Sequence, residues 1–425
     1  MTKTSQRFEF AAADAEPRKS ALYDQHCRLV PQSRIVPFAG YVMPVRYSSI
    51  KDEHEAVREA AGVFDCTHMG VLEFAGPKAA DFLDMVTVNN VQKLSSGRAQ
   101  YSQVLDGTGN ILDDIIIYCR REDLFMVVVN AVNNEKLKAW FGGIISGDIE
   151  VDHPDAPAID PMPSMRDLRD PASGEDQRVD IALQGPKAAD IIGEMMEDEA
   201  AGGQLAEMKP FRFIETSIAG NDVIVSTTGY TGSPGFEIYV HPETAGQVFE
   251  LILEKGEKYG VKPCGLGARD SLRIQAGLPL YGHELSGKHA ISPLEVGYSW
   301  AVKLDKPFFI GKDAMLENDK NRTMKVVRLS LPGQKGVRPV REDDGVLTED
   351  GECIGWILSA TKVGEEQIAL AFVSRDAVKK EDPVGVYYLA RSQGQKAKGK
   401  LDSVEPGQEL EADITGTVEP RFARF

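Results

Sequence analysis

Long apolar runs are missing from this 425-residue sequence, and so are the spacings with which cysteine and histidine usually bind metals. No window approaches the roughly 18 uninterrupted apolar residues of a membrane span. The five cysteines are scattered without a C-x-x-C pair, which argues against a disulfide framework and a structural zinc site. The seven histidines form no H-x-x-x-H or H-E-x-x-H pair. We therefore predict no metal site and no membrane partner.

Positive charge is also scarce: the sequence has 48 Lys and Arg residues against 65 Asp and Glu residues, which gives a formal net charge of −17. Such a charge repels phosphate backbones and anionic lipid, so we predict no nucleic-acid partner. The N-terminus carries Glu9, Asp14 and Glu16 and has no apolar core segment, so it resembles neither a secretory nor a transit peptide. We expect a soluble cytoplasmic protein whose polar residues 1–20 are frayed.

The length of the chain predicts two or three domains. One internal repeat is present: "GPKAAD" occurs at 76–81 and at 185–190, each time between a strand-like and a helix-like run. This repeat predicts two copies of one α+β unit. After about residue 310, short strands with Gly turns predict a small all-β domain. The Pro- and Asp-rich stretch 152–178 predicts a long surface loop or insertion.

Two consecutive carboxylates stand out in "DGTGNILDDIIIY" (106–118). Its first part lacks the G-K-[ST] of a phosphate loop and is not followed by a helix, so it predicts a tight turn between strands. Neighbouring strand residues point to opposite faces, so one of Asp113 and Asp114 shares a face with Ile115 and Ile117. The other carboxylate shares a face with Ile116 and Tyr118. Neither is a natural position for a carboxylate unless a function requires it.

Two further stretches, when taken alone, fit either a ligand-binding site or an ordinary structural element. In "TTGYTGSPGFEIYV" (227–240), Tyr230 lies among glycines and Glu237 follows on a strand, as in a pocket for a flat ligand or in an ordinary hairpin. In "GLGARDSLRIQAGLPLYGHEL" (265–285), Arg269 and Arg273 are four residues apart on one helical face. A surface helix would show the same spacing.

Seven stretches resemble, in the same order, one family: the glycine-cleavage T-proteins, which are tetrahydrofolate-dependent aminomethyltransferases. They are VPFAGYVMPVRY (36–47), GVFDCTHMG (62–70), GNILDDIIIY (109–118), ALQGPKAA (182–189), TTGYTGSPGFEIYV (227–240), CGLGARDSLRIQAGLPLYG (264–282) and FFIGKDAM (308–315). The resemblance implies an α+β fold, a three-domain cloverleaf with two α+β domains, one of them ferredoxin-like, and a C-terminal small β-barrel. The implied domains are 1–58 with 160–300, an inserted 59–159, and 310–425.

The resemblance also implies the site. Asp113, as the first aspartate of the pair, is the expected catalytic residue, and Asp114 is expected to be structural. The residues expected to bind tetrahydrofolate, the one-carbon acceptor, are Tyr101, Tyr230, Glu237, Arg273 and Arg421. The expected partner is a carrier protein whose lipoyl arm bears an aminomethyl group.

One alternative follows from departures within the matched motifs, and a second follows from a shared fold. Tyr41 stands where Trp is common, Ser233-Pro234 replaces an acidic residue and its neighbour, and Gln275 replaces a Glu. These differences keep open a folate-dependent demethylase that takes a methyl group from a small donor. A non-enzymatic folate-binding protein of iron–sulfur maturation shares the fold, but its Lys-Gly-Cys-Tyr-x-Gly-Gln-Glu signature is absent from the sequence.

Overall fold

The computed structural model describes residues 2–12 and 15–425, and these form two compact units. The first comprises residues up to 269 with 300–317 and 425, and the second comprises 270–299 and 318–424. The α-helices are Tyr23–Leu29, Ile50–Glu59, Ala79–Val86, Asn134–Ser146, Ala188–Met195, Glu199–Glu207, Pro242–Gly256, Leu266–Ala276, Lys312–Lys320 and Gln393–Lys396. Within the described residues, no helix is both long and apolar enough to cross a bilayer.

The first unit contains an antiparallel five-stranded sheet, called here the first sheet. Its strands, in spatial order, are Ser164–Asp167, Gly70–Ala75, Leu124–Val129, Ile111–Arg121 and Arg98–Leu105. The predicted tight turn joins the last two in sequence: Asp106 Oδ1 accepts the backbone N–H groups of Thr108 and Asn110. Gly109 completes the turn at φ +81°, a conformation that glycine adopts without steric cost.

A six-stranded second sheet lies in the same unit. Its strands, in spatial order, are Phe213–Ile218, Asn221–Ser226, Gly235–Val240, Val179–Gln184, Gly62–Asp65 and Lys262–Cys264. All neighbours are antiparallel except the last pair. The remaining strands of the unit are short: Thr2–Lys3 pairs with Ile149–Glu150, and Tyr41–Pro44 lies between Arg18–Lys19 and Ile35–Phe38.

The "GPKAAD" repeat forms the same local structure in both sheets, as predicted. Each copy links a strand to a helix through a glycine with a similar positive φ, +137° at Gly76 and +131° at Gly185. A side chain at Gly185 would also be too close to its surroundings, because a Cβ atom there would lie 2.6 Å from the Ala60 carbonyl oxygen. The repeat is therefore fixed by turn geometry and close packing.

The two sheets pack face to face. Their shared core includes Tyr118 and Val128 of the first sheet and Phe213, Ile224 and Tyr239 of the second. The opposite face of the first sheet is covered by Ala79–Val86 and Asn134–Ser146, and that of the second by Ala188–Met195 and Pro242–Gly256. The strand alternation predicted for 115–118 is confirmed, since Ile115 and Ile117 lie in the helix-covered core.

The second unit contains the predicted all-β structure as a closed barrel. Its strands, in spatial order, are Met324–Pro332, Glu366–Ser374, Cys353–Val363, Gly345–Leu347, Pro383–Tyr387 and Ile414–Glu419. The mixed α+β architecture with a C-terminal barrel confirms the predicted fold class. The three sets of domain limits remain predictions.

Two local predictions were wrong. The stretch 152–178 is not only a loop, because Ser164–Asp167 adds an edge strand beside Gly70–Ala75 and Arg166 pairs with Glu73 at 2.5 Å. Residues 2–8 are docked: Thr2–Lys3 pairs with Ile149–Glu150, the Ser5 hydroxyl donates to Asp152 at 2.6 Å, and the ring of Phe8 lies 4.8 Å from that of Trp140. For residues 1, 13 and 14 the prediction of fraying lies outside the described residues.

Candidate functional site

Asp113 lies on the helix-covered face of the first sheet and is fully buried. Its Oδ2 accepts the backbone N–H of Asn130 at 3.0 Å, and its Oδ1 accepts the side-chain amides of Asn130 at 2.8 Å and Asn133 at 2.5 Å. Both oxygens are thus engaged by the segment that leads into the helix Asn134–Ser146. This carboxyl group ties the strand to the helix that follows.

Asp114 lies on the opposite face, which it shares with Ile116 and Tyr118, and it is only half-buried. The Tyr101 hydroxyl donates to Asp114 Oδ2 at 3.1 Å, and the Asn130 side-chain amide donates to Oδ1 at 2.8 Å. The Asn130 side-chain amide therefore donates to both carboxylates, and it also lies 3.1 Å from the Asp114 carbonyl oxygen. Of the two carboxyl groups, that of Asp114 is the one that combines residual exposure with an aromatic neighbour.

Both carboxyl groups hold their protons more tightly than an ordinary aspartate. Burial, followed by the charge of Asp114, raises the pKa of Asp113 to about 8. Burial also raises the pKa of Asp114 to about 6, although the Tyr101 hydroxyl and Asn130 oppose the shift by hydrogen bonding to the charged form. A carboxyl group with a pKa near neutrality can both accept and return a proton at physiological pH.

Glu237 lies on the second sheet at the edge of the shared core. Its Oε2 accepts the hydroxyls of Thr228, Tyr118 (3.4 Å) and Tyr239 (3.3 Å). The side chain is half-buried, and every hydrogen bond described for it falls on Oε2. A carboxylate held in this way can present Oε1 to paired N–H donors, such as the amino edge of a pterin.

Arg269 brings a positive charge to the same part of the first unit. Its guanidinium lies 4.9 Å from the centre of the Tyr230 ring and donates to Cys66 Sγ at 3.3 Å. It also interacts electrostatically with Glu237 and Asp180. Sequence reasoning placed Arg269 and Arg273 on one helical face and chose Arg273 as the ligand contact. The pairing with Tyr230 and Glu237 is a tertiary signal that helical spacing could not supply.

Trp300 is a second residue that sequence reasoning missed. Its ring lies 5.8 Å from that of Tyr101, and its side chain is 51% exposed, which is unusual for the largest apolar side chain. The only signal in the sequence was the Trp itself, within a short loop-like stretch. Tyr101 and Trp300 together offer an aromatic surface next to Asp114, on which a flat ligand could stack.

The two arginines predicted to bind the ligand, Arg273 and Arg421, belong to the second unit. Arg273 is almost fully buried and donates to Asp270 at 2.9 Å and to Glu284 at 2.6 Å. Glu284 also accepts the Ser359 hydroxyl. Within the second unit, these contacts tie Arg273 to the barrel through Glu284.

Arg421 is also held within the second unit. It donates to the carbonyl oxygens of Val296 (3.1 Å) and Gly277, and it lies 4.5 Å from the centre of the Phe422 ring. Burial lowers its pKa to about 10. Its Nη2 atom has no hydrogen-bond partner among the described residues, so its two N–H donors remain for another group. The roles of Arg273 and Arg421 as ligand contacts stay predictions.

Comparison with known proteins gives a consistent result. Residues 22–306 match the model of the GCVT N-terminal domain. The chain is 39% identical over 368 residues to the aminomethyltransferase of Symbiobacterium thermophilum, covering 84% of this chain and 89% of that one. It is 35% identical over 392 residues to the aminomethyltransferase of Chlorobaculum tepidum, covering 92% and 93% of the two chains.

A solved structure agrees with the sequence relatives. The crystal structure of the glycine cleavage system aminomethyltransferase T from Bartonella henselae superimposes with a TM-score of 0.75 at 26% identity, over 96% of this chain and all of that one. The family model alone spans about two thirds of the sequence. The chain therefore belongs to the glycine-cleavage T-protein family of aminomethyltransferases.

Proposed function

We propose that this protein is the tetrahydrofolate-dependent aminomethyltransferase of a glycine cleavage system. It moves the one-carbon unit of an aminomethyl group, carried on the lipoyl arm of a partner protein, to tetrahydrofolate and releases ammonia. The observation that carries the proposal is the relationship to aminomethyltransferases, at 35 to 39% identity over most of both chains. The polar site of the first unit supports it.

We propose Asp114, in place of the Asp113 expected from the resemblance, as the carboxylate that acts on the substrates. Asp114 is half-buried and receives the Tyr101 hydroxyl, whereas Asp113 is fully buried and is held by Asn130 and Asn133. A group that moves a proton to or from a ligand must be within hydrogen-bonding reach of it. The partial exposure of Asp114 supports this role, whereas Asp113 is fully buried and both its oxygens accept hydrogen bonds from Asn130 or Asn133.

The residues of the site suit a tetrahydrofolate molecule. The carboxylate of Glu237 can accept the paired N–H groups of a pterin edge, and Tyr101, Tyr230 and Trp300 offer aromatic surfaces on which its rings can stack. When bound, tetrahydrofolate supplies the nitrogens that accept the one-carbon unit. Asp114 stabilises the positive charge that develops nearby and takes up or returns a proton at its carboxylate oxygens.

A product assay tests this function. Purified protein and tetrahydrofolate are given aminomethylated lipoyl carrier in one reaction, and dimethylsulfoniopropionate, dimethylglycine or vanillate in others. We expect methylenetetrahydrofolate and ammonia from the carrier alone, with turnover lost in Asp114→Asn. Methyltetrahydrofolate from a small donor would instead make the protein a demethylase. Folate binding without turnover in any reaction would favour the non-enzymatic alternative.

A further inference from the structure

Gln103 extends the hydrogen-bonded network of Asp114 by one residue. It lies directly opposite Asp114 in the ladder between Arg98–Leu105 and Ile111–Arg121, and it is fully buried. Its Nε2 donates to the Tyr101 hydroxyl oxygen at 3.1 Å, and that hydroxyl donates to Asp114 Oδ2 at 3.1 Å. The chain of donors therefore runs from Gln103 through Tyr101 to Asp114.

The other end of the same carboxamide has no partner. Gln103 Oε1 is buried and accepts no hydrogen bond from any described residue. Turning the carboxamide by 180° would place Oε1 next to Tyr101, where it could accept the hydroxyl proton. A phenol has one proton to donate, so Asp114 would then lose its hydroxyl donor. A hydrogen bond to a carboxylate is roughly twice as strong as one to a neutral amide, and this favours the observed orientation.

We propose that Gln103 is a positioning residue that directs the single hydroxyl proton of Tyr101 onto Asp114. It acts because its amide nitrogen can only donate, so the Tyr101 oxygen must be an acceptor on that side and a donor on the other. The proposal deepens the function proposed above and rests on it, since it concerns the protonation of the carboxylate assigned there. In this arrangement the buried Gln103 Oε1 gives up a hydrogen bond.

The consequence is a change in the proton affinity of Asp114. Tyr101 on the adjacent strand and Asp113 beside it are titratable groups that interact with Asp114, while Asn130 is a neutral donor. A donor to the charged form of a carboxylate favours that form. Removing the constraint on the Tyr101 hydroxyl should therefore raise the pKa of Asp114.

The experiment compares two substitutions of similar length. Gln103→Met neither donates nor accepts, and Gln103→Glu can accept the Tyr101 proton when ionised. The measurement is the pH dependence of kcat/KM for aminomethyl transfer. We expect the acid limb to move to higher pH by about 0.5 unit in Gln103→Met and by about 1 unit or more in Gln103→Glu. Gln100→Met, on the opposite face of the same strand, should leave the profile unchanged.

A double substitution distinguishes positioning from packing. In the Tyr101→Phe background there is no hydroxyl to direct, so Gln103→Met should cause no further shift. The proposal is overturned if Gln103→Met shifts the limb equally in both backgrounds, or if neither Gln103 variant shifts it. If Gln103→Met does not fold, Gln103→Leu and its combination with Tyr101→Phe decide in the same way, because leucine adds neither a hydrogen-bonding group nor a charge next to Asp114.

A second readout separates this proposal from the proposed function. Asp113 and Asp114 both titrate between pH 5 and 8, so the difference in urea unfolding between a ligand-free Gln103 variant and the wild type reports the change in the proton affinity of Asp114 without turnover. We expect Gln103→Met, which adds no titratable group, to lose more stability than wild type as the pH rises over this interval. Absence of aminomethyl transfer by the wild-type protein would refute the function alone, whereas unfolding profiles parallel to wild type would refute the role of Gln103.

Discussion

Asp113 and Asp114 are consecutive in the chain, yet their side chains lie on opposite faces of the strand Ile111–Arg121. One carboxyl group closes the junction between strand and helix, and the other faces Tyr101. The two substitutions to Asn should therefore differ in effect although they change adjacent and chemically identical residues.

We expect Asp114→Asn to lower kcat for aminomethyl transfer by about 10² to 10⁴, because an amide cannot exchange the proton that the carboxyl group moves. The dissociation constant for tetrahydrofolate should change by less than about tenfold. Asp113→Asn should reduce kcat at least ten times less than Asp114→Asn. Steady-state kinetics on both variants measure this ratio. The reverse order would return the catalytic role to Asp113.

Glu237→Gln should weaken tetrahydrofolate binding by about 10- to 150-fold, which corresponds to the roughly 1.5 to 3 kcal/mol of a charge-assisted hydrogen bond. The cause is the loss of a second acceptor oxygen and of the negative charge next to the pterin edge. Isothermal titration calorimetry measures the change. Glu215→Gln is the matched control, because Glu215 lies in the second sheet but pairs with Arg120 on the surface. Equal losses in both variants would contradict the assigned role of Glu237.

The raised pKa values of the aspartate pair predict a pH-dependent stability. An ordinary aspartate in the unfolded chain loses its proton near pH 3.9, whereas burial keeps Asp113 protonated up to about pH 8. The folded state therefore binds more protons between these values, and its stability falls as the pH rises through them. The slope for one group is at most about 1.4 kcal/mol per pH unit.

Urea unfolding from pH 5.5 to 8.5 tests this dependence. We expect Asp113→Asn to lose less stability than wild type over this range, because the group that must ionise has been removed. Parallel profiles for the two proteins would show that the carboxyl group of Asp113 is already ionised in the folded state at pH 5.5.

His68 makes stability depend on pH in the opposite direction to Asp113, so that the protein loses stability as the pH falls. It is buried between Phe38 and Tyr41, and burial together with the charge of Arg269 lowers its pKa to about 3. In the unfolded chain His68 binds a proton near pH 6.5, whereas in the folded chain it stays neutral down to about pH 3. Stability should therefore decline as the pH falls from about 6.5 towards 3.

The substitution His68→Gln isolates this contribution. Its unfolding free energy should fall less than that of wild type between pH 7.5 and 4.5, by at most about 1.4 kcal/mol per pH unit. Thermal or urea unfolding at the two pH values measures the difference. An identical loss in both proteins would show that His68 is protonated in the folded state.

The local sequence pattern was sufficient to predict structure wherever residues close in sequence determine it. Alternation along 115–118 predicted the two faces of the strand, and the "GPKAAD" repeat predicted the same strand, turn and helix twice. Local pattern is ambiguous at Val63, which follows the helix Ile50–Glu59 closely but lies in the strand Gly62–Asp65. An apolar residue just beyond a helix fits either period until its packing partner is known.

The sequence by itself determined the family, the fold class and the presence of two carboxylates on opposite faces of one strand, because ordered motifs and strand period are properties of the chain. Only the tertiary structure decided that Asp114 lies next to Tyr101 and that Asp113 closes the junction between strand and helix. It also decided that Arg269 lies next to Tyr230, and Gln103 next to Tyr101 and Asp114. Such pairs depend on strand register and on the packing of one sheet against another, so spacing along the chain cannot reveal them.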